Sequence, residues 1–476
     1  MKTLNHKISQ NGFALITSMI FIVIFGALAV AMLSMSSMNT KLAQNQHHYN
    51  QSLSNAFSGL EFVRRNFDGQ DIEWPNRLEG LFPIIQSQLV SMTDVSVTYD
   101  GADIMDISDV AMSSDGSQSF VSNIEHFVDA NDDDLEKLRM KVTGKDGDFM
   151  KTLQVDYKFR VGAHSAFDYG VATKGPLSLS GQAAIDGNET DPNLLRIEAG
   201  VYIEGVPGAI ADSLSMIGQA SIAGEVSIYD PNASYDIGTK AVVGGAAPGE
   251  ANYVTTGADL VDFPVPYPEY FETFATGNVI NNANKSTYSS CTEFVNCLIE
   301  GGTDFTFASD TVIKGILYIK SPNRVKFAGR VTVIGSIVCE GDYQSSVSGD
   351  SVDFAGQVTC MDAATLAGTT GFEELTSDDL VNRFDGTFLL APGFETDFSG
   401  KANFINGVIA ANGVSFSGQA GGIVQGSIIN YSYDTMVLAG QSELVFVRSG
   451  TDTNPAGFVP YSRLEYIPSS YKEIKQ

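Results

Sequence analysis

Residues 13–35 pass without a single charge, and everything before them is basic or neutral. As a helix this stretch would run about 35 Å, enough to cross a hydrocarbon core of about 30 Å. Lys2 and Lys7 precede it with no acid among the first twelve residues, which keeps the leader cytoplasmic and sends the rest of the chain outside. The pattern then changes without stopping. Over 42–67 no Pro occurs and no Gly before Gly59, and Leu53, Ala56, Leu60 and Val63 recur at 3-4-3 spacing, which predicts one apolar stripe on a continuing helix. Further on, 95–99 and 153–159 alternate apolar and polar residues as half-exposed strands do. The stretch 137–142 precedes a turn at 144–147 and is placed to pair with 153–159 as a hairpin. A small α+β unit over 68–165 follows from these signals.

From about residue 166 a short phrase keeps returning: an apolar residue, usually a small one, Gly, a polar residue, then a small residue or Val. It reads Leu179-Ser180-Gly181-Gln182-Ala183 and Met216-Ile217-Gly218-Gln219-Ala220, then Phe327-Ala328-Gly329-Arg330-Val331 and Phe354-Ala355-Gly356-Gln357-Val358. Phe398-Ser399-Gly400-Lys401-Ala402, Phe416-Ser417-Gly418-Gln419-Ala420 and Leu438-Ala439-Gly440-Gln441-Ser442 complete it. Successive glycines stand 37, 111, 27, 44, 18 and 22 residues apart. The shortest steps fit one coil of a parallel solenoid, with Gly at a corner and the Phe or Leu before it stacking on its counterpart in the next coil. The predicted fold class is therefore mainly β, with a long N-terminal transmembrane helix, the small α+β unit and a C-terminal right-handed parallel β-helix. An antiparallel β-sandwich with Gly-rich hairpins is the alternative. The β-helix is expected over 166–455, with a Pro- and aromatic-rich insertion at about 230–305 and a cap at 456–476.

The chain has 28 Lys and Arg against 56 Asp and Glu, a formal net charge of −28 in 476 residues. Such a surface repels phosphate backbones, so no nucleic-acid partner is expected. The acidic run at 129–134 fails as an EF-hand: Asp134 stands where Gly belongs, and Met140 where the bidentate Glu belongs. Four cysteines, Cys291, Cys297, Cys339 and Cys360, form no CxxC pair. In an exported chain they are disulfide candidates, with three pairings open; their spacings match no common zinc site, and no metal or cofactor is expected. The repeat phrases carry Gln, Lys, Arg and small residues, not the paired carboxylates of a glycosidase or lyase. All five histidines precede the repeats, and no catalytic residue is assigned. The chain is not expected to be an enzyme.

The start of the apolar segment, Gly12-Phe13-Ala14-Leu15-Ile16, resembles the type IV prepilin signal, in which a dedicated peptidase cuts after the glycine and leaves the helix on the mature protein. The resemblance implies a leader at 1–12, processing between Gly12 and Phe13, and a transmembrane and stem helix at 13–67. Small residues at 33–37 leave conventional signal cleavage open. Major pilins usually carry Glu at the fifth mature position, where this chain has Thr17. By resemblance, Thr17 marks a minor or tip subunit. The stretch Ala56-Phe57-Ser58-Gly59-Leu60-Glu61 is similar to the end of the PilX-type N-terminal domain.

The function these features imply is a minor pilin or pilin-like subunit of a type IV pilus or type II secretion-like system, displaying a β-helical body for adhesion or initiation. Its implied partners are the prepilin peptidase, other pilin or pseudopilin subunits and the inner membrane, with surface glycans as candidate ligands. The implied location is the inner membrane, then the cell surface or pilus. A membrane-anchored polysaccharide-binding or -cleaving protein and a β-helical scaffold are the alternatives.

Overall fold

The apolar run and its striped continuation form one helix, Asn11–Phe67. A computed structural model of the chain describes residues 11–71, 78–92, 95–129, 135–188, 196–205, 212–245, 253–308, 310–345, 349–384, 386–447 and 454–474. Lys2, Lys7 and residues 130–134 of the acidic run lie outside that set. The chain divides into two units: Met1–Gln70 with Arg77–Arg160 and Ser462–Gln476, and Asp71–Asn76 with Val161–Tyr461.

In the first unit Ala56, Leu60, Val63 and Phe67 are buried, and Leu53 is half-buried, as the stripe requires. They face an antiparallel sheet of Val97–Tyr99, Ile104–Ala111, Gln118–Asp129, Leu135–Asp146, Phe149–Gly162 and Tyr461–Tyr466, in that order, with Lys472–Ile474 also paired to Phe149–Gly162. The expected hairpin is present, with Lys137 opposite Lys158 and Val142 opposite Leu153. A short helix, Leu81–Val90, buries Leu81, Phe82, Ile85 and Leu89, and Phe82 meets Phe67 edge-on with ring centroids 5.3 Å apart. The expected C-terminal cap on the repeats is not what 456–476 forms as a whole. Its two strands complete this antiparallel sheet, because the alternating Tyr461–Tyr466 segment finds a partner edge there.

Among the described residues every pairing between named strands of the second unit is parallel, unlike those of an antiparallel sandwich. The strands fall into three ladders, and the chain visits the three in turn. The first ladder is a nine-stranded sheet ordered Tyr235–Ile237, Leu214–Gly218, Leu177–Gly181, Met436–Leu438, Val414–Phe416, Glu395–Phe398, Ser351–Phe354, Arg324–Phe327, Thr306–Phe307. The other two ladders join where the long strands Thr311–Ile319 and Val331–Cys339 bend at Gly315 and Gly335, both at positive φ. Inward residues alternate with outward ones on the first ladder. On the third, both faces are buried: Val201, Tyr202 and Ile203 are all fully enclosed, as are Ile428, Ile429 and Asn430. A second apolar layer, with Tyr202, Phe263, Phe271, Tyr318, Phe384 and Tyr431, covers that ladder from outside.

The coils are not stacked in chain order. The chain enters at Val171–Thr173, winds outward to an end coil at Tyr235–Ile237, Val242–Val243 and Val254–Thr256, crosses to the opposite end and winds back. Its last strands then meet its first: Met436 pairs with Leu177, Glu443 with Ala184 and Ile428 with Val171. One coil is therefore shared, with two sides from 436–446 and the third from Val171–Thr173. Residues 230–305, expected as an insertion, instead supply the end coil, the crossing and Glu293–Ile299 of the far coils. The crossing runs as a strap along the third ladder, which is why Pro-rich, aromatic sequence sits there. Ala258 N–H donates to the Ile228 carbonyl at 3.0 Å, the Tyr431 hydroxyl donates to the Pro264 carbonyl at 2.7 Å, and Gly277 N–H donates to Asn296 at 2.7 Å. Eight rungs separate Ile228 from Ile299, about 38 Å at about 4.8 Å per rung.

Candidate functional site

The helix is the feature that the sequence ties most directly to function. Its N-terminal half presents large apolar side chains outward: Leu15, Ile22, Val23, Met32 and Leu33 are each about two-thirds exposed. None of the most apolar window is buried against the described residues, and the helix is long and apolar enough to cross a membrane. The Gly12–Phe13 junction lies in the first turn, and Thr17 follows, half-exposed.

The other half is seated on the sheet by groups specific to it. Asn55 Nδ2 donates to the Lys145 carbonyl at 2.8 Å, Ser52 Oγ lies 3.1 Å from the Phe149 carbonyl, and His48 Nδ1 lies 2.8 Å from Asp146 Oδ2. Two glycines permit the approach. A Cβ on Gly144 would overlap the Ser52 carbonyl and the Ala56 amide, and one on Gly59 would come within 2.6 Å of the Phe120 ring. At the helix C-terminus Arg64 binds Glu61 at 2.8 Å and Asp68 at 2.6 Å. The hydrogen bond from Arg64 holds the Glu61 carboxyl below its ordinary range. Arg64 and Arg65 also place positive charge where the helix dipole favours it.

The seven Gly phrases come together at one corner, between the first and second ladders. In stack order Phe307, Phe327, Phe354, Phe398, Phe416, Leu438, Leu179 and Met216 form one inward column. Successive phenylalanine rings lie 4.7, 4.9, 4.7 and 4.8 Å apart and within 9° of parallel. Outside the same corner Gln419 donates to Gln441 at 3.3 Å, Gln441 to Gln182 at 3.1 Å, and Gln182 to Gln219 at 3.0 Å. Phe307 lacks the glycine that follows its counterparts, so the phrase does not reveal it.

The cysteines are four free thiols, three of them buried. Cys360 lies opposite Val333, six residues before Cys339 in the same bent strand, so these two sit on different sides of the coil. Burial pushes the Cys360 thiol up to about 11 and the Cys339 and Cys297 thiols above their ordinary value. Among the described residues no three potential metal-ligating side chains gather.

No family model matches the chain, and no curated protein does. Among solved structures it is similar to the competence-associated pilin ComZ from Thermus thermophilus, at 13% identity over 90% of this chain and 97% of that one, with a TM-score of 0.27. What the geometry itself offers is an exposed apolar helix rigidly continued into a folded body, and a coil stack presenting regular outward rows.

Proposed function

We propose that this chain is a pilin-like subunit, held in the inner membrane by its N-terminal helix before assembly and displaying a right-handed parallel β-helix outside the cell. The observation that carries this is the single 57-residue helix, apolar and exposed in its first part and locked onto an antiparallel sheet in its second. A helix that anchors a body and packs beside other such helices needs both parts. The hand follows from the strong preference of parallel crossovers for right-handed connections. Thr17 supports a minor or initiating subunit: an uncompensated carboxylate within the membrane is costly, and this chain carries none there. Prepilin peptidase and other pilin or pseudopilin subunits are its partners under this proposal. Binding and assembly, not catalysis, are its work.

Mass spectrometry of the mature chain purified from its own membranes tests this. The expected N-terminal residue is Phe13; a start at Met1 or near Ser36 would overturn the proposal.

A further inference from the structure

Where the last coil meets the first, the corner after the third ladder carries an unusual set of side chains. Lys174 follows Val171–Thr173, and its Nζ stands 5.3 Å from the ring centroid of Phe263, 5.2 Å from that of Tyr343 and 5.9 Å from that of Tyr433. Among the described residues the ammonium makes no hydrogen bond or ion pair within 4 Å. Thr173 is in register with Ile203, and Ile203 with Ile228, so Lys174, Glu204 and Tyr229 occupy the same position on three successive rungs. Glu204 is half-buried; burial raises its carboxyl above the ordinary range, and the nearby charge of Lys174 partly opposes that. Tyr433 and Tyr229 are exposed by 53% and 39%. Tyr343 is half-buried; its ring packs 5.1 Å from Tyr431, and its hydroxyl accepts from Gln344 at 3.1 Å.

We propose that Tyr433, Tyr343, Lys174, Glu204 and Tyr229 form a binding strip for a neutral polysaccharide chain lying across the rungs. Aromatic rings with one face open stack on the C–H faces of a pyranose and leave its hydroxyls free for polar partners. The ammonium supplies donors and the carboxylate supplies acceptors one rung away, which suits neighbouring hydroxyls of one sugar. Rungs recur at about 4.8 Å, close to the length of one pyranose in a linear chain. The two charges cancel locally, and the net charge of −28 disfavours anionic polysaccharides.

This proposal deepens the surface role given to the body but does not depend on processing at Gly12. A mature start at Met1 would remove the pilin proposal and leave this one standing. The test uses the full chain in a polyoxyethylene detergent, which has no sugar headgroup, titrated calorimetrically with cellohexaose, chitohexaose, xylohexaose, mannohexaose, laminarihexaose and hexagalacturonate. At least one neutral hexasaccharide is expected to bind, with affinity falling tenfold or more in Tyr433→Ala and in Glu204→Gln. Tyr433→Ala alters an exposed side chain and should melt as the parent does, so it remains informative even if a Lys174→Met variant does not fold. Heat only from hexagalacturonate, no heat from any sugar, or neutral-sugar affinity unchanged in both variants would each overturn the strip.

Discussion

His164 is buried with an acceptor at each ring nitrogen: Asp262 Oδ2 lies 3.2 Å from Nδ1, and the Val459 carbonyl lies 2.9 Å from Nε2. Burial alone would discharge it. The hydrogen bonds to Asp262 and Val459, helped by the charges of Asp262 and Asp71, outweigh that and raise its pKa above the ordinary value. A histidine raised on folding contributes stability that is fully present below its unfolded pKa of about 6.5 and lost as pH rises through the higher folded value. The second unit is therefore expected to melt at lower temperature as pH rises past neutrality, with the slope reduced in His164→Gln. That variant should also cost about 1–3 kcal/mol at pH 6, for the loss of charge-assisted hydrogen bonds. Asp71 adds to the same direction, since burial raises its carboxyl too. The sequence offers no hint of this, because the partners lie 98 and 295 residues away. Glycines are more legible. Gly400 belongs to a repeated phrase, and a Cβ there would run into the Gly356 carbonyl. Gly400→Ala is expected to lose about 1–3 kcal/mol in a denaturant titration, as overpacking does.

Among elements, those with a local signature are the ones the residues announce. The helix stripe at Ala56, Leu60 and Val63 and the hairpin between 137–142 and 153–159 appear where their periodicities place them, since each depends on neighbours close in sequence. The phenylalanine column is legible for the same reason, although its Leu and Met rungs come from phrases far away in the chain. Truncating a central ring leaves a cavity between two stacked partners. Phe398→Ala should cost about 3–5 kcal/mol, and Phe398→Leu much less, measured by chemical unfolding of the full chain. The outer layer over the third ladder is harder to foresee. Strands such as Val201–Ile203 and Thr387–Ala391 are apolar on both faces, a pattern that says only that something covers them. That Pro264 and Phe271 from the strap do so depends on long-range geometry.

For the whole molecule, what escapes the sequence is order. A repeated phrase shows that coils stack but not which coil is next to which, because every rung accepts every other at nearly the same spacing. The shared coil pairs Ile428 with Val171, 257 residues distant, and Asn430 Nδ2 donates to Thr173 Oγ1 there at 2.9 Å. Closing so long a loop is slow relative to local coil formation. In pulsed hydrogen exchange during refolding, the amides of Met436–Leu438 and Leu177–Gly181 should gain protection after those of Arg324–Phe327 and Val331–Cys339. Early protection of the first pair would contradict this order.

The same shared coil bears on mechanical load. A solenoid pulled by its termini normally peels from the end rungs, one row of hydrogen bonds at a time. Here the strand nearest the entry, Val171–Thr173, is held between Ile428–Asn430 and Val201–Ile203, and the departing Glu443–Phe446 between Gly421–Gln425 and Ala184–Gly187. Tension on the incoming and outgoing chain meets rungs braced on both flanks, while the free end coils carry none of it. A coil stack built this way resists unspooling at the two places where the chain enters and leaves it.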